Sequence, residues 1–425
     1  MRGQVPDFPT SIRGESSTAL LPELPPIEAC IFYGSNFFPQ RPLERRQQDS
    51  HGEPKRGQRP EGELSSSSRN SSPLYDMLLL VPQQQLLQWH ADNFSHRPEH
   101  YAPFIRHVAR YTGGGKRVAA AFAMRLTEAS EVPVLYNCRV PLNNHPHELC
   151  KYGVVPTEAF CEDLRLWKHF YFAGRMQKPV NLCWKGADQG RRAQVEGACL
   201  LNRLNALRLA LLLLPQEVSL MRLLEEIVSL SYQGDFRMLV AEDPQKVQAI
   251  VRSQTEALCS IYLPLLSRLP SVHLEAGEHV AVHGEGPLPF GEDCKPQDLK
   301  ICNVRVQGST DGAATAGKVL WSFLYVQQDK ASPAALEALY SPLPLSIRQR
   351  AEAGLNSTSA SDRSSSSVCR YSQPSTPPPA EALRLGLQRL MLWPTLKCSM
   401  KNAVSAGLVN SVLYGLRKLG KRVGK

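Results

Sequence analysis

The chain has no hydrophobic run long enough to cross a bilayer. Its most apolar stretch, Ala206 to Leu214, carries Arg208 and falls far short of the ~20 residues that a membrane core requires. A soluble or peripheral protein is therefore expected. The 11 cysteines include no Cys-x-x-Cys pair, which excludes a zinc ribbon or thioredoxin-like redox site and suits a reducing compartment. The Asn-x-Ser/Thr matches at Asn70, Asn93 and Asn356 are then chance. A secretory signal is missing, and Met1 to Leu24 mixes Arg2 and Arg13 with Asp7, Glu15 and Glu23, a poor mitochondrial presequence on its own. Neither Gly113-Gly114-Gly115-Lys116 nor Gly284-Glu285-Gly286 has the G-x-x-x-x-G-K-[ST] spacing of a phosphate loop. His90, His96, His100, His145 and His147 lack a cysteine at ligand spacing, and Pro98 interrupts the first three, so packing and hydrogen bonding are favoured over zinc.

What is present bounds the architecture. Of 425 residues, 42% are hydrophobic and 21% charged, the ordinary globular range. Forty-nine Lys and Arg against 39 Asp and Glu leave a net charge of +10, which favours anionic partners: nucleotides, nucleic acid or acidic lipid headgroups. Residues 1–20 are expected to be a disordered N-terminus. Arg41 to Ser72 has no aromatic and almost no aliphatic residue, so it cannot offset its ordering entropy and is expected to be a disordered insertion. It separates two strand candidates, Ala29 to Tyr33 and Leu74 to Val81. A further strand is expected over Val132 to Val140, with turn glycines at 113–115, and Glu196 to Leu230, dense in Leu, is expected to be helical. Residues 353–380 read as a Ser/Thr/Pro-rich linker.

The C-terminal segment has its own pattern. Val404, Leu408, Val412, Leu416, Leu419 and Val423 recur at helical spacing, Arg417, Lys418, Lys421 and Lys425 lie opposite, and no acid follows Glu381. Gly407, Gly415 and Gly420 each weaken such a helix in water by roughly 1 kcal/mol relative to Ala. A helix that forms on an anionic lipid surface is the reading that fits.

One constellation carries chemistry. A strand ends in Gly34-Ser35, and a later strand opens Tyr75-Asp76-Met77-Leu78. Glycine lets backbone approach phosphate oxygens, and a carboxylate is a hard ligand suited to Mg²⁺. This arrangement resembles the nucleotidyltransferases of the polymerase-β superfamily. Longer strings accompany it in order: Ile31 to Gln40, Gln88 to Asn93, Tyr136-Asn137, Lys151 to Val154, Ala173 to Val180 and Leu230 to Met238. Together they resemble the mitochondrial translocator assembly and maintenance protein family, the mitochondrial phosphatidate cytidylyltransferases (CDP-diacylglycerol synthases), over Leu21 to about Val251 outside the insertion, and more loosely from Ala382 onwards.

The resemblance implies an α/β (α+β) fold, with a polymerase-β-type nucleotidyltransferase domain over 21–195 interrupted by 41–72. A helical, winged-helix-like domain over 196–350 and a membrane-binding C-terminal amphipathic segment over 381–425 would follow. It implies synthesis of CDP-diacylglycerol and pyrophosphate from CTP and phosphatidic acid, for cardiolipin and phosphatidylglycerol, at the matrix side of the inner mitochondrial membrane. Gly34 and Ser35 would meet the triphosphate and Asp76 would hold Mg²⁺. Lys151, Arg175 and Lys178 would neutralise phosphates. Two departures stand out. Asn36 occupies a position where the family usually has Gly, and Leu78 stands where the wider superfamily has a second Asp, leaving Asp235, Glu162 or Asp163 as candidate second ligands. Asp235 and Arg237 also suit an ion pair bracing the two domains. The rival readings are a non-catalytic membrane-associated assembly factor and a nucleotidyltransferase with a nucleic-acid acceptor, the latter disfavoured by the C-terminal segment. Oligomeric state has no signature in the sequence.

Overall fold

A computed structural model describes residues 24–35, 37–38, 74–142, 145–234, 245–276, 304–305, 324–359 and 377–406. Expectations for residues 1–20, the 41–72 insertion, Asn36, Asp235, Arg237 and the chain beyond Ala406 fall outside this set.

The first unit is a mixed five-stranded sheet of order β3-β4-β2-β1-β5. Its strands are β1 (Ala29–Tyr33), β2 (Leu74–Val81), β3 (Leu135–Leu142), β4 (His145–Pro156) and β5 (Asn181–Trp184). β1 runs antiparallel to β2 and β5, β2 parallel to β4, and β3 antiparallel to β4. The central strands are apolar on both sides because both sheet faces are covered. Ile31, Leu78, Leu80 and Val155 point to one core; Phe32, Met77, Leu79 and Val154 point to the other. Helices α1 (Leu86–His96), α2 (Pro103–Tyr111) and α3 (Gly115–Glu128) follow β2. Gly113 and Gly115 take φ of +64° and +49° in the turn between α2 and α3, a region that glycine enters at little cost.

α4 (Thr157–Leu166) and the short α5 (Ala173–Met176) lead through β5 to α6 (Gln189–Leu213), whose start is fixed by the Asp188 carboxylate accepting from the Arg191 N–H at 2.7 Å. The boundary expected at 195/196 falls inside α6. Val195, Ala198 and Cys199 of this one helix belong to the sheet core, whereas Ala206 to Leu213 belong to the second core, so the helix is shared by both units.

The second unit adds β6 (Glu217–Ser219), α7 (Leu220–Leu230), α8 (Lys246–Ser253), α9 (Thr255–Leu266), β7 (Val272–Ala276), β8 (Val304–Arg305), β9 (Leu324–Gln328), α10 (Pro333–Tyr340) and α11 (Leu345–Ser359). Its strands form a second sheet of order β6-β9-β7-β8. The helix expected over 196–230 is thus two helices broken at Pro215 and restarted by the Ser219 hydroxyl, which accepts from the Arg222 N–H. The linker expected from 353 begins inside α11.

The last described helix, α12 (Ala380–Ala406), lies across both units. Leu383, Leu387, Leu390 and Met391 enter the second core and Cys398 the sheet core. Arg384 pairs with the buried Glu226 of α7 at 2.7 Å, and the Lys401 ammonium donates to the carbonyls of Thr127 and Val132 at 3.2 and 2.7 Å. The segment expected to meet the membrane from residue 381 is therefore docked on the protein up to Lys401.

Candidate active site

Tyr33, Asp76 and Lys151 stand side by side on β1, β2 and β4, in register, on one face of the sheet. β1 ends there because Gly34 takes φ +94°, and the carbonyl of Gly34 accepts from the N–H groups of Phe37 and Phe38 at 3.2 and 2.9 Å. A side chain at Gly34 would place its Cβ 3.2 Å from Asp76 Oδ2, a tight contact, in a left-handed conformation that favours glycine. The Ser35 side chain is exposed beside it.

Asp76 is half-buried and, among the described residues, pairs with no cation at ion-pair distance. Lys151 next to it is also half-buried, its ammonium 4.2 Å from the centroid of the Tyr136 ring. Burial opposes the charge of this ammonium, but the Asp76 carboxylate and neighbouring acidic groups outweigh that cost and hold its pKa above the usual lysine value. On β3 the pairing with β4 shifts between Asn137 and Val140, a bulge opposite Lys151 in which Arg139 takes φ +58°.

Arg175, from α5, closes the other side. Its guanidinium lies 3.9 Å from the Tyr171 ring centroid and 5.4 Å from that of Tyr33, and one Nη–H donates to the Tyr171 carbonyl at 2.9 Å. No carboxylate among the described residues pairs with it. The hydroxyls of Tyr33 and Tyr171 lie 3.4 and 3.3 Å from that of Tyr136. Burial pushes the Tyr33 and Tyr171 phenols well above the usual tyrosine range, so both remain neutral. The structure thus brings Gly34, Ser35, Asp76, Lys151 and Arg175 to one corner of the sheet. Sequence reading gave the three tyrosines no role: Tyr33 and Tyr136 lie in the strings Ile31 to Gln40 and Tyr136-Asn137, and Tyr171 lies in none.

Lys178 is engaged elsewhere. Its ammonium donates to the Gly174 carbonyl at 3.0 Å and to Ser231 Oγ at 2.6 Å and lies 4.7 Å from the Tyr232 ring centroid, at the junction with the second unit. The two acids of α4 proposed as second metal ligands also have other work. Glu162 is partly exposed and pairs with Lys168 at 3.2 Å. Asp163 is fully buried and accepts four backbone N–H bonds, from His169, Phe170, Phe172 and Ala173, at 2.8–3.1 Å. His90 and His100, on the opposite side of the sheet, bond the hydroxyls of Tyr101 and Tyr152 at 3.0 and 2.7 Å.

Among the described residues no group of three or more His, Cys, Asp or Glu side chains is placed to hold a metal ion. The fit of Mg²⁺ therefore rests on Asp76, an unpaired carboxylate facing a bare glycine Cα, with an exposed serine hydroxyl adjacent. That donor set suits a cation that keeps water and phosphate oxygens in most of its coordination sphere.

The model of a family described as phosphatidate cytidylyltransferase, mitochondrial, matches residues 18–421. Curated proteins bearing the same description are similar to the chain. The Drosophila melanogaster protein is 31% identical over 334 residues, covering 78% of this chain and 81% of the relative. The Schizosaccharomyces pombe protein is 31% identical over 255 residues, 60% of this chain and 53% of its own length. The Xenopus laevis protein is 35% identical over 182 residues, 43% and 48% respectively.

Proposed function

Since the chain belongs to the mitochondrial phosphatidate cytidylyltransferase family, we propose that it transfers the cytidylyl group of CTP to phosphatidic acid. The products would be CDP-diacylglycerol and pyrophosphate, for cardiolipin and phosphatidylglycerol synthesis. The observation that carries this reading is the convergence of the Gly34 turn, the Asp76 carboxylate and two cations, Lys151 and Arg175, that have no ion-pair partner among the described residues, at one corner of the sheet.

A phosphatidate oxygen attacks the α-phosphorus of CTP in line, a new P–O bond forms, and the bond from that phosphorus to the β-phosphate oxygen breaks as pyrophosphate leaves. The attacking phosphate is largely ionised near neutral pH, so the chain supplies position and charge compensation more than a general base. Gly34 allows triphosphate oxygens to approach the backbone, and the Ser35 hydroxyl donates to one of them. Lys151 and Arg175 lower the cost of bringing two anionic phosphates together. Asp76 would hold Mg²⁺, which when bound screens the phosphates and aids departure of pyrophosphate. Lys178, already bonded to Gly174 and Ser231, braces the α5 segment against the end of α7.

The first unit is assigned to the nucleotidyltransferase fold on the strength of the mixed sheet and the turn at the end of β1. The second, helices followed by a small, largely antiparallel sheet, is assigned to a winged-helix-like fold. Among the described residues no helix is long and apolar enough to cross a membrane. We assign the protein to peripheral attachment at the matrix face of the inner membrane. The outward side of α12 supports this, since Leu385, Leu392, Met400 and Trp393, 62% exposed, lie along it with Arg389, ahead of the apolar 404–423 stripe and its basic residues.

The test offers the protein radiolabelled CTP with phosphatidate, with RNA, or with neither. Label moving into a chloroform-soluble product with phosphatidate alone is expected. Label in RNA would move the assignment to a nucleic-acid acceptor, and no transfer in any arm would leave an assembly role.

A further inference from the structure

The two site cations share one support. Gly153 of β4 lies opposite Tyr136 in the β3–β4 pairing, two residues along from Lys151. A Cβ on Gly153 would fall 2.7 Å from Tyr136 Cε1, so the missing side chain is what allows the Tyr136 ring to lie flat across β4. There the ring is 1% exposed and presents its face to the Lys151 ammonium at 4.2 Å. On its far edge the Tyr136 hydroxyl meets those of Tyr33 and Tyr171, whose rings flank Arg175.

Aromatic faces attract a cation without neutralising it, because the ring quadrupole carries no net charge. A carboxylate in the same place would hold the cation equally well and cancel its charge. Support by rings therefore leaves Lys151 and Arg175 fixed in position and still able to attract phosphate.

We propose that Tyr136 is a positioning residue for cytidylyl transfer, its ring holding the Lys151 ammonium beside Asp76 and its hydroxyl linking the two tyrosines that flank Arg175. The substrates named rest on the cytidylyltransferase reading, whereas the role of Tyr136 in holding an anion site does not. The hydroxyl contacts, at 3.3 and 3.4 Å, are long for O–H···O bonds, so the ring face carries most of the effect.

The experiment measures binding of inorganic pyrophosphate by calorimetry, and turnover of CTP with phosphatidate, on the full chain and on Tyr136→Phe, Tyr136→Leu, Lys151→Met and Tyr136→Leu/Lys151→Met. A partly buried cation–ring contact is worth about tenfold in affinity or rate. Tyr136→Leu is accordingly expected to lose about tenfold in both pyrophosphate affinity and kcat, and Tyr136→Phe, which keeps the ring, to stay within about threefold of wild type. In the Lys151→Met background the same Leu substitution should cost less than about threefold, because the cation it supports is gone. A role confined to packing would make the Leu substitution equally costly in both backgrounds, and that result overturns the proposal, as does unchanged pyrophosphate affinity in folded Tyr136→Leu. If Tyr136→Leu does not fold, Tyr136→Phe decides: a loss beyond about tenfold with native circular dichroism contradicts the weight given to the ring face. Wild-type protein that binds pyrophosphate and shows the predicted coupling, yet makes no CDP-diacylglycerol, would defeat the cytidylyltransferase reading and leave the role of Tyr136 in place.

Discussion

Asp163 is the residue whose expected role changes most between sequence and structure, and Asp163→Asn separates the two roles. Its carboxylate is fully buried, with two backbone N–H groups on each oxygen: His169 and Phe170 on one, Phe172 and Ala173 on the other. The His169 imidazole lies 3.2 Å away. This loop includes Trp167 and Phe170 at φ of 48° and 58°, conformations that non-glycine residues rarely adopt, so the carboxylate holds backbone that would not hold itself. Asparagine retains one acceptor oxygen, and its amide turns N–H groups toward two donors. Two charge-assisted bonds at about 1.5–3 kcal/mol each are lost, a cost of roughly 3–6 kcal/mol before the weakened His169 pair is counted. At a urea slope of ~3 kcal/mol/M the unfolding midpoint falls by about 1 M or more. Turnover falls as well, since the loop carries Tyr171 and leads into Arg175, but the Mg²⁺ concentration for half-maximal activity stays the same. The pH dependence has a definite sign. Burial raises the Asp163 pKa, but His169 and the backbone N–H groups more than reverse this, leaving it below the ordinary carboxylate value. Its contribution is therefore present above the unfolded pKa of ~3.9 and is lost as pH falls through the lower folded value. The acid limb of the stability curve should be flatter in the variant than in the wild type. A variant of wild-type stability whose Mg²⁺ requirement rises tenfold would make Asp163 a metal ligand and refute the reasoning.

Three further outcomes are expected. Gly34→Ala should lower turnover at least about 100-fold and the melting temperature by a few degrees, because the added Cβ meets the Asp76 carboxylate at 3.2 Å in a left-handed conformation, a strain of about 1–3 kcal/mol; activity within threefold would show that phosphate does not use this turn. Removing residues 407–425 should impair turnover on anionic bilayers far more than on soluble short-chain phosphatidate, whereas truncation after Pro394 should impair both, since it also takes Cys398 and Lys401 out of their buried places; equal loss of both activities on the shorter truncation would place the terminal stripe in the protein core. Deleting residues 45–68 should leave turnover on detergent-dispersed phosphatidate within about threefold, since that composition cannot build a core; a tenfold loss in folded protein would assign the insertion to the site.

Two of the strands that hold the site, β1 and β2, were legible at residue level; β3 was expected over Val132 to Val140 and runs from Leu135 to Leu142, and β4, which carries Lys151, was not read as a strand. β1 and β2 are apolar runs with abrupt ends, one at Gly34 and the other before Pro82. Gly34, Asp76, Lys151 and Arg175 could be placed at one site through the family resemblance that their strings carry. What joins them could not be read. The tyrosine cluster draws on positions 33, 136 and 171, which meet only through sheet pairing and the α5 turn. The early start of α6 was hidden because its first two turns, Gln189 to Glu196, are polar and glycine-containing and owe their helix to the Asp188 cap. Asp163 looked like a spare acid because a side chain that binds backbone leaves no sequence partner to find. The docking of α12 was not legible either, since it rests on contacts such as that of the Lys401 ammonium with the carbonyls of Thr127 and Val132, far away in sequence.

The most direct test of the central claim is the yield of CDP-diacylglycerol and pyrophosphate from CTP and phosphatidate by the wild-type chain beside Asp76→Asn, in protein matched for folding. The account predicts equimolar lipid product and pyrophosphate from the wild type and a loss of at least about 1,000-fold in the variant, as expected when a charged group that acts on the transferring phosphates is removed. Activity of Asp76→Asn within about threefold of wild type, with an unchanged Mg²⁺ requirement, would contradict it.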